Sequence, residues 1–355
     1  MIRRVPFWYW VGGLVLAGLA IYLVRDVLLP FVVGIGVAYL LNPVVNRLAR
    51  YGVPRWFGAT LVGGSFLVAA ALALVILIPI LIDQSIDLAE RAPDILDAIR
   101  RRLESFSETI RERLSPEDLD RIRGFVGRGV SLVAGWVAGM AGGLLGSGLA
   151  VFNALSLIFI TPVVGFYLLR DWDRIVAFFD SHLPVAHAET IRIQAQRIDH
   201  RLAGFVRGQF AVCLVLGVLY AVALSVAGLE FGLVIGMFAG LVSFVPYLGS
   251  ISGLLLSTGV ALFQFPDWYS VGIVVAIFLV GQAIEGNVLT PLLVGDRVGL
   301  HPVWIIFALL VGGALFGFVG LLLAVPAAAA IGVLIRFALD RYRHSQYFDD
   351  PTPGP

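Results

Sequence analysis

Residues 231–265 read FGLVIGMFAGLVSFVPYLGSISGLLLSTGVALFQF, a stretch without one charged side chain. As a single helix it would be about 50 Å long, whereas the hydrocarbon layer of a bilayer is roughly 30 Å thick. Residues 303–335 pose the same problem, and 57–82 and 208–228 are apolar runs of about one membrane span each. The whole chain is 59% hydrophobic and 14% charged, with a mean hydropathy of +0.94. Soluble domains are closer to half apolar and a quarter charged. These runs predict an all-α, polytopic integral membrane protein.

Both long stretches carry an interruption: Val245-Pro246-Tyr247-Leu248-Gly249 in the first, and Val325-Pro326 with Gly312, Gly313, Gly317 and Gly320 in the second. If each crosses once, about eight transmembrane crossings result, with both termini cytoplasmic. A re-entrant hairpin in one and a double crossing in the other satisfies the same parity, and the sequence leaves both open.

Outward from there, residues 1–82 read as three spans (7–24, 27–41 and 57–82). The loop 42–56 carries Arg47, Arg50 and Arg55 and no acid, which places it in the cytoplasm. Residues 83–128 hold nine arginines against eleven acids, so the stretch is charged yet balanced. Leu96, Ile99, Leu103, Phe106, Ile110 and Leu114 give it an apolar stripe, as expected of an extracytoplasmic amphipathic helical insertion. Residues 129–170 form a glycine-rich segment and a fourth span, ending at the charged run Arg170–Arg174. Residues 171–207 read as helices along the cytoplasmic surface, 208–340 as a transport core, and 341–355 as a disordered cytoplasmic tail.

Composition also excludes functions. All 25 basic residues are arginine, but the net charge of +1 leaves no basic stripe for nucleic acid. Cys213 is the one cysteine, so no intrachain disulfide forms, and the five histidines lack metal-ligand spacing. There is no phosphate-binding glycine loop followed by Lys-Ser/Thr, no HExxH and no GxSxG. The reading is therefore not an enzyme: no catalytic residues, no metal and no cofactor.

Glu285, in Gly281-Gln282-Ala283-Ile284-Glu285-Gly286-Asn287, is the strongest site candidate, because an ionisable group near apolar spans is costly and usually functional. Gln282 shares its helix face. A carboxylate there can exchange a proton or hold a small cation; the bland alternative is a solvated interfacial residue, or one paired with Arg297 or Arg207. The break at Pro246, Tyr247 and Gly249 frees backbone groups that lipid cannot satisfy, with Ser243 one turn before it and Ser250 just after. A Pro kink or an interfacial turn is the competing reading. Arg207-Gly208-Gln209 opens the fifth span; Arg207 either snorkels to the headgroups or serves as a gate or ion pair, as do Gln209 and Arg297. Gly232, Gly236 and Gly240 are explained by close helix packing.

Several short motifs occur in order: Leu29-Pro30-Phe31, Tyr39-Leu40-Leu41-Asn42-Pro43, Gly165-Phe166-Tyr167-Leu168-Leu169-Arg170-Asp171 and Gly204-Phe205-Val206-Arg207-Gly208-Gln209. Phe244-Val245-Pro246-Tyr247-Leu248-Gly249 and Glu285-Gly286-Asn287-Val288-Leu289-Thr290-Pro291 follow. In this arrangement, from about residue 10 to 340, the chain resembles the autoinducer-2 exporter family, also described as PerM-like permeases. The resemblance implies a seven- or eight-span permease assembled as a homo-oligomer in the cytoplasmic (inner) membrane. Some members of the family are linked to export of autoinducer-2, others to sodium or lithium exchange against protons. It adds weight to Pro246, Gly249, Glu285 and Asn287. Ser250 departs from the pattern, in which proline follows the glycine in many members.

Three function classes follow. The first is a secondary transporter of a small polar solute, or of a monovalent cation against protons, with Glu285, Gln282, Asn287 and the backbone at 246–249 as its polar site. The others are a passive channel-like oligomer and a non-transporting scaffold whose 83–128 helices bind a partner.

Overall fold

The computed structural model describes residues 27–73, 148–294 and 299–344 continuously, with single residues between 12 and 24 and between 75 and 101. Most of the 83–128 insertion, the glycine-rich stretch up to 147, Arg297 and the tail beyond His344 lie outside the described residues. The described elements are all helical. Among the described residues five helices are long and apolar enough to cross a membrane: Leu29–Arg50, Arg55–Ala73, Ala188–Val226, Trp268–Val294 and Pro302–Arg343. The protein is a polytopic α-helical membrane protein.

The chain divides into two compact units: residues 1–67, 156–207 and 296–355, and residues 68–155 and 208–295. In the first, α1 (Leu29–Arg50), α2 (Arg55–Ala73) and α3 (Gly148–Ser181) enclose Ala38, Val45, Ala59, Val62 and Leu169. Gly34 admits α3 closely, since a Cβ there would lie 2.9 Å from Val164 and 3.1 Å from the Thr161 carbonyl. Arg55 clamps the three helices. It donates to Asn42 at 2.9 Å, Asn46 at 3.1 Å, the Leu169 carbonyl at 3.2 Å and Asp173 at 2.7 Å.

Three boundaries differ from the sequence expectation. Helix α1 does not end at residue 41; it passes through Pro43 to Arg50. Pro43 has no N–H to give the Tyr39 carbonyl, and the Arg207 Nε donates to that carbonyl instead, at 3.1 Å. Helix α3 continues past the charged Arg170–Arg174 run to Ser181, and α4 runs unbroken over Ala188–Val226. Residues 188–207 are thus the charged first half of a 39-residue helix rather than a separate surface helix. The turn joining α3 to α4 contains Pro184 and is tied by Arg192, which bonds both carboxylate oxygens of Asp180 at 2.6 and 3.0 Å. Finally, Pro302–Arg343 breaks at Gly317 (φ 57°, ψ −135°), while Pro326 stays inside helix. Only glycine readily takes that backbone conformation.

The Gly317 break reverses the chain, making Pro302–Arg343 (α8) a hairpin. Gly312 and Gly320 pack backbone to backbone, and Arg336 donates to the Gly299 carbonyl at 3.1 Å. In one straight helix those last two residues would be about 55 Å apart.

The second unit contains the apolar half of α4, then α5 (Gly232–Val242), α6 (Leu248–Gln264) and α7 (Trp268–Ile284), the last continuing as a π-helical segment over Glu285–Val294. Helices α5 and α6 form a hairpin closed at its open end by Gln264. Its side chain accepts from the Glu230 N–H at 2.9 Å and donates to the Gly228 carbonyl at 2.7 Å. At 11 and 17 residues the arms are about 17 and 26 Å long, short of the roughly 30 Å a crossing requires. Residues 231–265 are therefore a hairpin of two arms, each shorter than a full crossing. Gly232, Gly236 and Gly240 lay α5 directly on the α4 backbone at Leu224, Ala221 and Gly217.

Candidate functional site

The turn of the α5–α6 hairpin lies at Ser243–Tyr247, and it is buried where a membrane loop would ordinarily meet water. Ser243 is 1% exposed, Val245 3% and Ser250 7%. Backbone freed from helical bonding must find partners in such a place. The Ser243 carbonyl accepts from the Gln209 side chain at 2.6 Å, and the Ser243 hydroxyl turns back to the Ala239 carbonyl at 2.8 Å. Tyr247 has φ 68°, the one non-glycine left-handed residue among those described, a conformation that costs an L-residue about 1–2 kcal/mol. Gly249 is required by space: a Cβ there would overlap the Ser243 side chain and the Ala239 carbonyl.

Glu285 meets this turn from α7. It is 8% exposed, and Ser250 donates to its Oε2 at 3.2 Å. It stands where the α-helix gives way to the π-helical segment containing Pro291. The wider π turn leaves carbonyls and side chains in non-standard directions, and such segments recur at functional sites. Gly208 lets α4 approach the π-helical Leu293–Val294 backbone so closely that any Cβ would overlap the Leu293 carbonyl. Glu285 is thus neither solvated nor paired with Arg207, whose Nε is engaged at Tyr39 within the other unit. No ion pair involving Glu285 is present among the described residues.

Tyr220, on α4, completes the surroundings. It is 0% exposed and stacks on Phe278 at 4.5 Å between ring centroids, with its ring edge over Gly281. Its hydroxyl is buried against Gly281, one turn of α7 before Glu285.

The structure thus sets a buried carboxylate at a helix break, facing the turn of a helical hairpin. The family model of the AI-2E family transporters matches residues 12–340. The chain belongs to the AI-2E transporter family. YrrI of Bacillus subtilis, named as a transport protein, is 29% identical over 332 residues, covering 90% of this chain and 89% of its own. PerM of Escherichia coli, named as a permease, is 27% identical over 319 residues, covering 89% and 88%. The AI-2 transport protein TqsA of Escherichia coli is 22% identical over 332 residues, covering 93% and 90%.

In this AI-2E family member the structure gathers Glu285, Ser243, Gly249, Ser250 and Gln209 around one buried turn. Gln282 is half-buried one turn before Glu285. Asn287 diverges: it is exposed and its side chain bonds the Ala283 carbonyl of its own helix at 2.9 Å. Pro246 is half-buried within the turn, and Tyr247 is 48% exposed, so its ring is not part of the buried group. Tyr220 was not singled out by sequence; the available signal was a lone phenol in the otherwise apolar run 208–228, which is too common to stand out.

Proposed function

We propose that the protein is a secondary transporter of the bacterial cell membrane, with both termini cytoplasmic. It moves a small polar solute, or exchanges Na+ or Li+ for protons, with Glu285 as the carboxylate that carries the coupling charge. The observation that supports this most directly is the buried pairing of Glu285 with Ser250 on the α5–α6 hairpin. An ionisable residue among apolar helices is a large energetic cost that transport sites characteristically bear. Broken helices meeting at one point are the other mark of such sites.

In this reading the charge on Glu285 decides how firmly the hairpin turn is held. The ionised carboxylate accepts from Ser250 and fixes the turn to α7. Loading a proton or a monovalent cation weakens that bond, and the short arms of α5 and α6 move as a pair, with Gln209 holding the Ser243 carbonyl. The similarity to TqsA and PerM supports a small solute as cargo, and assembly as a homo-oligomer belongs to the same proposal.

The test is flux into proteoliposomes loaded with a pH-sensitive dye, native protein against Glu285→Gln. Proton movement triggered by a sodium or lithium gradient and lost in the variant is the expected result for cation exchange. Variant flux equal to native removes Glu285 from the mechanism. A conductance that never saturates favours a channel instead.

A further inference from the structure

Two guanidinium groups face each other across Gly299, in the segment that leads into α8. A Cβ added to Gly299 would lie 3.1 Å from Nη1 of Arg201 on α4, and 3.4 and 3.5 Å from Nη1 and Nη2 of Arg336 on α8. Like charges that close repel, and arginine side chains are long enough to splay apart into water. Arg336 is held in place instead. Its Nε donates to the Gly332 carbonyl and its Nη1 to the Gly299 carbonyl, both at 3.1 Å. Its Nη2 is left without a hydrogen bond, and its charge without an ion pair, among the described residues. Arg197 stands one turn before Arg201 on the same side of α4. It is exposed and likewise has no ion pair among the described residues.

The fork of a guanidinium matches the oxygens of a phosphate, and one phosphate can satisfy several such forks at once. The surroundings decide which phosphate fits. The charge-free run 303–335 ends at Arg336, and the charge-free run 208–228 begins just beyond the arginines of α4. The cluster therefore stands where apolar chain gives way to charged chain, the level of the lipid headgroups. Beside Arg336 on α8, Ile331, Leu334 and Ile335 are 55%, 50% and 53% exposed. A free phosphate gains nothing from apolar neighbours, whereas a phospholipid brings both a phosphate and acyl chains to cover them. A zwitterionic headgroup adds its own cation to a place already crowded with positive charge, so a headgroup of net negative charge fits better.

We propose that Arg201 and Arg336, with Arg197 beside them, bind the phosphate of an anionic phospholipid whose acyl chains lie along Ile331, Leu334 and Ile335. The lipid belongs to the leaflet on the side where α8 ends. Its phosphate neutralises the facing guanidiniums and ties the charged half of α4 to the second arm of the α8 hairpin. The site is independent of the part given to Glu285.

Native mass spectrometry of the full-length protein, released from micelles titrated with phosphatidylglycerol, tests the site. Phosphatidylcholine with the same acyl chains and inorganic phosphate are the comparison probes. The native protein is expected to retain phosphatidylglycerol about tenfold more tightly than phosphatidylcholine. Arg201→Gln should weaken retention of phosphatidylglycerol about tenfold, the worth of a charge-assisted hydrogen bond. Arg336→Gln should do the same where it folds, since Arg336 also ties Gly299 to α8. Arg197→Gln removes a charge that holds nothing else among the described residues, and should weaken retention about fivefold. Equal retention of the two lipids by the native protein overturns the proposal. So does undiminished retention of phosphatidylglycerol in both Arg197→Gln and Arg201→Gln, whatever Arg336→Gln does. Inorganic phosphate displacing phosphatidylglycerol at equal concentration overturns it too, because the acyl chains would then contribute nothing.

Discussion

Two charge-free stretches, 231–265 and 303–335, fold back on themselves, and their turns are built from opposite materials. The first turns over Ser243–Tyr247 with a proline and a half-exposed left-handed tyrosine, and its buried polar groups, Ser243 in the turn and Ser250 just after it, are hydrogen-bonded. The second turns at Gly317 alone, where an added Cβ would meet nothing and where Leu315 and Phe318 are 49% and 55% exposed. Both hairpins close by glycine contact, Gly249 on Ser243 and Ala239 in one, Gly312 on Gly320 in the other. A break in an apolar helix is therefore not itself a site. What sets the first apart is that its polar groups face Gln209 and Glu285 inside the protein.

The largest effect should separate the two turns directly. Gly249→Ala forces a methyl into the Ala239 carbonyl and the Ser243 side chain, and overpacking of that kind costs about 3 kcal/mol. Gly317→Ala meets no atom and loses only the backbone conformation, about 1–3 kcal/mol. Thermal unfolding in detergent ranks them, and the reverse order would mean that the first turn has slack the geometry does not suggest.

Gln209→Leu sharpens the same comparison, because it strips the Ser243 carbonyl of its 2.6 Å partner in a buried place. A loss of about 1–3 kcal/mol is expected, together with reduced flux. An unchanged unfolding midpoint would show that the turn finds another donor. Tyr247→Gly should do the opposite and stabilise by about 1 kcal/mol, since glycine tolerates the left-handed conformation. Destabilisation by that change would assign the half-exposed ring a packing role.

The smallest effect lies outside the membrane-spanning parts, at the α3–α4 turn. Arg192 holds the Asp180 carboxyl below the ordinary aspartate range through its hydrogen bonds. A carboxyl lowered on folding contributes stability above its unfolded value, and that contribution fades as pH falls through the folded value. Asp180→Asn should therefore be slightly less stable than native at neutral pH and indistinguishable from it well below pH of about 3.9. Both groups are exposed, so the difference at neutral pH should be small and screened by salt.

That Glu285 needs a polar partner was legible in the sequence, because a carboxylate beside apolar spans has few cheap explanations. The broken segment at 245–249 was legible for a related reason: proline and glycine in a charge-free run announce freed backbone. Asn287 was misleading, since two residues of helix rotate a side chain to another face, and it bonds its own helix instead. Arg207 was misleading in a different way. Its partner is the Tyr39 carbonyl that Pro43 leaves unbonded, 168 residues away in sequence. Tyr220 could not be found at all, because being unpartnered is a property of surroundings.

Sequence by itself determined that this chain lives in a bilayer, that its secondary structure is helical and that its polar breaks fall near 246 and 285, because lipid penalises any charge or open backbone wherever the fold puts it. Only the tertiary structure decided that both long runs are hairpins, that the second turns at Gly317 and not at Pro326, and that Ser250 meets Glu285. Those outcomes depend on which glycines let two backbones touch, and that contact is made between residues whose order along the chain carries no record of it.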